Sequence, residues 1–235
     1  MPYASNPTNA TGELLAGPRM FANRRAAGQL LAQALIHHAG TNAIVLGLPR
    51  GGVPVADEIA RVLGGALDVW VVRKLGAPFQ PELGMGAIAE GPAVVLDRPT
   101  VRLLGVTTPQ LLGVARREMA EVRRRIECFR GDRPAPELHG RTVILVDDGV
   151  ATGGTMRAAI RAVKKRGAAR LVVAIPVAVP DIVTELRREA NEVVCLHQPK
   201  DLYAIGLWYE DFRQVSNEEV ARILERAARR ADEAS

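Results

Sequence analysis

The sequence predicts an α/β protein built on a doubly wound, mainly parallel sheet of about five strands flanked by helices. Three observations predict it. Short runs rich in Val, Ile and Leu recur between segments of helical period: AIVLGL (43–48), LDVWVV (67–72), VILV (143–146), RLVVAIPVAV (170–179) and EVVCL (192–196). Most of these runs are apolar throughout rather than alternating, the pattern of strands covered by helices on both faces. Two of them end in glycine-rich turns that pass straight into a helix, as βα junctions of such sheets do.

Composition narrows the class. With 48% hydrophobic and 24% charged residues over 235 positions, the chain has the makeup of a globular protein with one core and an appendage. No apolar run is as long as a membrane span, and no signal-peptide pattern opens the chain. Cys128 and Cys195 read as reduced, buried thiols, so a cytoplasmic setting is expected. His37, His38, His139 and His197 show no metal-ligand spacing along the chain and read as structural or surface residues. A net charge of +5 suits an anionic partner. The basic clusters fall mostly on predicted helices beside glutamates, as on a solvated helix face, so nucleic acid is not expected.

The elements follow in order. Residues 1–20 are rich in Pro, Asn, Thr and Gly without periodicity and read as a flexible arm. From Phe21 a helical pattern places Leu30, Leu31, Ala34 and Leu35 on one face, and the first strand, 43–48, follows. Pro49-Arg50-Gly51-Gly52 breaks that strand, and a helix over 53–63 ends at Gly64-Gly65. The strand 67–72 delivers Arg73 and Lys74 at its carboxyl end, where ligands of open α/β sheets lie. Residues 75–91 carry Gly76, Pro78, Pro81, Gly84, Gly86 and Gly91 with little periodicity and read as a long functional loop. Thr108 as N-cap and Pro109 at the first position start a helix that runs to Arg130. After the strand 143–146, Met156, Ala159, Ile160 and Val163 share a helix face that stops at Gly167. The strand 170–179, a short helix capped by Asp181 and the strand 192–196 complete the alternation. Residues 198–215 break it and gather Tyr203, Trp208, Tyr209 and Phe212, which could stack on a flat base. Ser216 to Glu219 reads as the capped start of a final helix.

The chemistry concentrates in VILVDDGVATGGT (143–155). A strand, a small-residue loop and a helix N-terminus make an anion site, because free backbone N–H groups and the helix dipole converge there. Asp147 and Asp148 would repel a bare phosphate, so the ligand must carry hydroxyls or a metal beside its phosphate. A ribose 5-phosphate satisfies both halves. Neither GxxxxGK[ST] nor GxGxxG is present. Arg50-Gly51-Gly52 makes a second anion site by the same physics.

At these residues the chain resembles the type I phosphoribosyltransferases, whose signature is a hydrophobic strand, two acids and a Thr/Gly-rich loop. The resemblance implies that Asp147 and Asp148 bind the ribose of phosphoribosyl pyrophosphate (PRPP). It gives the 5-phosphate to Val150, Ala151, Thr152, Gly153, Gly154 and Thr155, and the pyrophosphate to Arg50, Gly51, Gly52, Arg73 and Lys74. Arg50 falls where the family's backbone often takes a cis peptide. The loop 75–91 would close over the reacting centre, with strands 87–90 and 93–97 at its base, inside a core of 21–197. Residues 198–235 would form a small hood, with Trp208 and Tyr209 against the base. Mg²⁺ would act with PRPP, and Asp147 and Asp148 would be its protein donors, directly or through PRPP or water.

The implied activity is transfer of phosphoribose to a nucleobase-type nitrogen with release of pyrophosphate. Its partners are small molecules and no membrane, and a homodimer stays open. Two departures bear on mechanism. Gly149 stands where the family usually has an aliphatic residue. Ala151 stands where the purine-salvage branch carries an aspartate credited as general base, so no catalytic base is assigned. The alternative is a PRPP-sensing regulator, or an RNA-binding protein, that keeps the fold without catalysis.

Overall fold

Each of the five predicted strand runs contributes a strand to one parallel sheet, and their order across it decides where a ligand can sit. The computed structural model describes residues 20–90 and 94–233. The arm expected over 1–20, all but Met20, and the readings that touch 91–93 lie outside the described residues.

The first helix, α1 (Arg24–Ala34), starts at Asn23, whose side chain accepts the Ala26 N–H at 3.0 Å. A 3₁₀ turn at Ile36–His38 leads into β1 (Ile44–Gly47), α2 (Gly52–Leu63) and β2 (Ala66–Val69). The chain then leaves the main sheet for β3 (Val72–Ala77), β4 (Gln80–Ala89), β5 (Val94–Leu96) and the short α3 (Arg98–Leu103). It returns through α4 (Thr108–Arg130) to β6 (Thr142–Val146), α5 (Gly154–Lys165), β7 (Arg170–Val177), α6 (Pro180–Glu189) and β8 (Glu192–His197). A 3₁₀ turn at Ile205–Trp208 precedes α7 (Asn217–Glu233).

The main sheet has the order β2-β1-β6-β7-β8, all parallel, with β6 at its centre. Side chains alternate faces along each strand. On one face Leu46, Val143, Leu145, Val173 and Ile175 bury against Met156, Ile160, Val163 and Leu186 of α5 and α6. On the other, Val45, Ile144, Val146 and Val172 meet Leu31, Val55 and Ile59 of α1 and α2. The chain moves outward from β1 in one direction and from β6 in the other. The carboxyl ends of β1 and β6 therefore flank the switch point, where such sheets open a crevice.

Several local expectations change. The strand expected over 67–72 ends at Val69; the Trp70 N–H makes the last bond to β1, at the Gly47 carbonyl, and its fully buried ring anchors the chain there. Arg73 and Lys74 consequently lie inside β3 rather than at a strand end. The segment 75–91, read as an aperiodic loop, is largely an antiparallel hairpin. β4 also pairs with β5 through Ala87↔Val95 and Ile88↔Val94, as expected for the base of that segment. Its glycines answer crowding between strands. A Cβ on Gly76 would stand 2.1 Å from the Pro81 carbonyl oxygen, at a shift in register, and one on Gly86 would stand 2.2 Å from that of Val95. Thr107, not Thr108, caps α4, with its N–H donating to Gln110 Oε1 at 2.9 Å. Asp181 lies in the first turn of α6 rather than capping it. Both cysteines are free, but Cys128 is exposed. Burial pushes the Cys195 thiol up to about 12. Among the described residues no helix is long and apolar enough to cross a membrane.

A buried ion cluster fixes the hairpin to the main sheet. Arg130, at the end of α4, reaches Asp68 at 3.0 Å, both carboxylate oxygens of Glu90, and the Val69 carbonyl, with its side chain 2% exposed. Burial still raises the Asp68 carboxyl above its usual range despite the guanidinium beside it.

Candidate active site

The loop after β6 and the loop after β1 meet at the switch point. The Leu48 N–H donates to the Val146 carbonyl at 2.8 Å, and the Pro49–Arg50 peptide is cis. Gly51 and Gly52 then lie directly against the two acids. A Cβ on Gly51 would fall 1.9 Å from Asp148 Oδ2, and one on Gly52 would fall 2.9 Å from Asp147 Cα. Glycine is required here because the loops touch.

Beyond the acids the chain turns into α5. Gly153 adopts a left-handed conformation (φ 73°) that starts the helix, and Ala151, Thr152, Gly154 and Thr155 are exposed. Among the described residues no hydrogen bond engages the N–H groups of Ala151, Thr152 or Gly153. With the dipole of α5 behind them, these groups form an open anion cradle. Val150 differs from the rest. It is buried, and its N–H donates to the Val177 carbonyl at 2.9 Å, so it anchors the loop to β7 instead of facing a ligand. Arg157 braces the loop from below, donating to the Thr152 carbonyl at 3.2 Å while pairing with Glu185.

The predicted cations separate, because neighbouring residues of a strand face opposite ways. Arg73 turns to α4 and pairs with Glu118 at 2.9 Å. Lys74 turns the other way and donates to the Glu82 carbonyl. It lines a cleft of about 310 Å³ with Thr152, Thr155, Arg157 and Asp97. Only Lys74 of the pair is thus brought to the phosphate cradle.

The two acids sit in different electrostatic settings. Burial, and then the neighbouring charge of Asp148, push the Asp147 carboxyl well above the carboxylate range. Asp148 is held by Arg24, whose Nε lies 2.7 Å from Oδ2 with both side chains largely buried. Tyr209 donates its hydroxyl to the Asp148 carbonyl at 2.6 Å.

Two strands of one parallel sheet thus deliver a glycine turn and a paired-acid loop into a single crevice. The sequence profile of the phosphoribosyl transferase domain matches residues 10–207, most of the chain. The chain belongs to this family. Two Mycobacterium tuberculosis proteins, provisionally named phosphoribosyl transferases, are each 46% identical over 211 residues. That match covers 90% of this chain and 48% of theirs, so the chain spans about half the length of the curated relatives it matches. The crystal structure of TT1426 from Thermus thermophilus is 48% identical, with a TM-score of 0.80 over 87% of this chain and 97% of that one.

In this phosphoribosyl transferase domain the aromatic segment does not form the expected open shelf. Tyr209 is 5% exposed, its ring 5.0 Å from that of Phe212 and 5.3 Å from that of Phe21. Trp208 is half-buried, with its ring 5.3 Å from that of His197. Of the four clustered aromatics Tyr203 stays exposed, while Trp208, Tyr209 and Phe212 pack, as clustered rings around a core more often do. The same segment explains the departure at Gly149, where a Cβ would stand 2.5 Å from Ile205 Cγ2. Ile205 presses on the paired-acid loop, leaving no room for an aliphatic side chain.

Arg24 is the site residue that sequence reasoning missed. Its guanidinium carbon lies 3.9 Å from the centre of the Phe212 ring, and it also donates to the Arg213 carbonyl at 2.8 Å. Nothing along the chain relates it to Asp148, 124 residues away. The only available signal was an arginine beside Asn23, a good cap.

Proposed function

We propose that this chain transfers the phosphoribosyl group of PRPP to a nucleobase-type nitrogen and releases pyrophosphate. The observation that carries the reading is the crevice itself. Adjacent carboxylates stand between an open helix N-terminus and a glycine turn, which suits a hydroxyl-bearing sugar with anions on either side. On this reading the N–H groups and hydroxyls from Ala151 to Thr155 take the 5-phosphate, with Val150 as their anchor. Asp147 and Asp148 accept the ribose hydroxyls, and Arg50, Gly51 and Gly52 face the pyrophosphate. Lys74, expected on the pyrophosphate, stands instead on the 5-phosphate side with Thr152 and Thr155. Arg73 acts at a distance, through the Glu118 pair that orients β3.

The donor set fits Mg²⁺, since hard carboxylate oxygens suit it and a cation offsets the burial and the Asp148 charge that raise Asp147. Asp147 and Asp148 would hold the ion, directly or through PRPP or water, and it would neutralise the leaving pyrophosphate. Bond breaking at the anomeric carbon builds positive charge on the sugar. Carboxylates held against the ribose favour that charge, and Arg24 keeps Asp148 oriented for it. The acceptor would enter the cleft of about 450 Å³ beside Arg24, lined also by Asn23, Pro54, Asp211, Arg213 and Gln214. This assigns acceptor contact to Arg24 and its neighbours instead of Trp208 and Tyr209.

The test is a screen of nucleobases with PRPP and Mg²⁺, read by pyrophosphate release. Release with one base class establishes the transfer. Tight PRPP binding with no release across the full set would give the crevice to a sensor.

A further inference from the structure

At the opposite end of the main sheet from the crevice, the 3₁₀ turn after α1 meets the first residue of the edge strand β8. We propose that His37, His38 and Glu192 there form a binding site for a transition-metal dication of the Zn²⁺ class. Among the described residues this is the group whose ligand atoms converge, all lying within 4.8 Å of one another. His37 Nε2 is 3.0 Å from Glu192 Oε1, and His38 Nε2 is 3.0 Å from Oε2. Zn²⁺ binds imidazole nitrogen and carboxylate oxygen at about 2.0–2.2 Å. Tetrahedral neighbours then stand roughly 3.3–3.6 Å apart, so each His–Glu192 pair needs to part by only a few tenths of an ångström, while the set as a whole, spread within 4.8 Å, closes around the ion.

The donors choose the ion. Two imidazoles with one carboxylate suit Zn²⁺, Ni²⁺ or Cu²⁺, whereas Mg²⁺ prefers oxygens alone. Exposure supplies the access route: the His38 side chain is 6% exposed, but that of His37 is 54% exposed, which leaves a solvent side for a water ligand. Arg170 donates to Glu192 Oε2 at 3.0 Å, holding the carboxylate from outside as partners of ligating carboxylates do. Its charge is the one feature that opposes a cation. The competing arrangement needs no ion, since Glu192 could simply accept three N–H donors. Spacing along the chain hides the site because Glu192 lies 154 residues from His38.

Metal-free protein titrated with Zn²⁺ should bind one ion per chain and melt at a higher temperature. Co²⁺ in its place should give the visible absorption of a tetrahedral site. Binding should persist in Asp147→Asn/Asp148→Asn, which removes the acids of the crevice. It should weaken roughly tenfold or more in His37→Asn and in Glu192→Gln. His37→Asn alters a half-exposed side chain, so this variant keeps the test informative if Glu192→Gln fails to fold. Absence of one-to-one binding would overturn the proposal, as would binding that His37→Asn leaves unchanged or that the crevice variant abolishes.

Discussion

Replacing Asp147 with Asn should stabilise the free protein at neutral pH while weakening PRPP. Burial and the adjacent Asp148 raise the Asp147 carboxyl well above its usual range, so folding favours the protonated form. That contribution is present in full at low pH and is lost as pH rises from the ordinary carboxylate range through the raised value. At neutral pH the charge therefore opposes the fold. Two like charges about 4 Å apart repel by ~4 kcal/mol at an effective dielectric of ~20, an upper bound that the Arg24–Asp148 pair reduces. Asn keeps the Oδ1 that accepts the Asp148 N–H at 2.9 Å and removes only the charge. A gain of about 0.5–2 kcal/mol is expected, the usual size for a stabilising change at a functional position. At about 2–4 °C per kcal/mol, the melting temperature should rise by about 1–8 °C. Scanning calorimetry from acid to neutral pH should show the two proteins converging at low pH and separating as pH rises. PRPP should bind about ten- to a hundredfold more weakly, for the loss of a charge-assisted bond worth ~1.5–3 kcal/mol. An Asn variant that is less stable at neutral pH, or a difference that ignores pH, would refute the reasoning.

Arg130→Met leaves Asp68 and Glu90 buried without their shared partner, and urea unfolding should show a loss of about 3–5 kcal/mol. A loss under about 1 kcal/mol would show that the cluster does not tie the hairpin down. Lys74→Ala should lower turnover much more than Arg73→Ala, because only Lys74 lines the cleft at the phosphate cradle; equal effects in steady-state kinetics would contradict the opposite facing of the two residues. Gly51→Ala should push Asp148 off its Arg24 bond and weaken PRPP by roughly tenfold or more, measured by calorimetry. Unchanged affinity there would mean that the two loops do not press together.

Local chemistry was legible along the chain. The runs around Val45, Ile144 and, after Arg170, Val172 are apolar because both faces of the sheet are covered, so they could be read as parallel strands without knowing their order. The paired acids and the small residues after them were the sequence basis of the proposed ligand class, since phosphate needs open N–H groups and carboxylates need hydroxyls or a cation. The helix starting at Thr108 and Pro109 was off by a single residue at its cap, a shift that leaves its buried face unchanged.

Whatever depends on meeting across distance was decided by the tertiary structure. Glycines and prolines over 75–91 carry the same signature in a loose loop and in crowded strands, and only the nearness of Pro81 and Val95 distinguishes the two. Arg73 and Lys74 look alike in sequence, yet the alternation of β3 sends one to Glu118 and the other to the cradle. Tyr209 had the composition of a ligand shelf, but packing against Phe21 and Phe212 took it into the core. Arg24 with Asp148, and His37 and His38 with Glu192, are pairings of side chains more than a hundred residues apart. A sequence pattern records what a segment can bury or bond; which partner it bonds is fixed only when the sheet order brings the ends of its strands together.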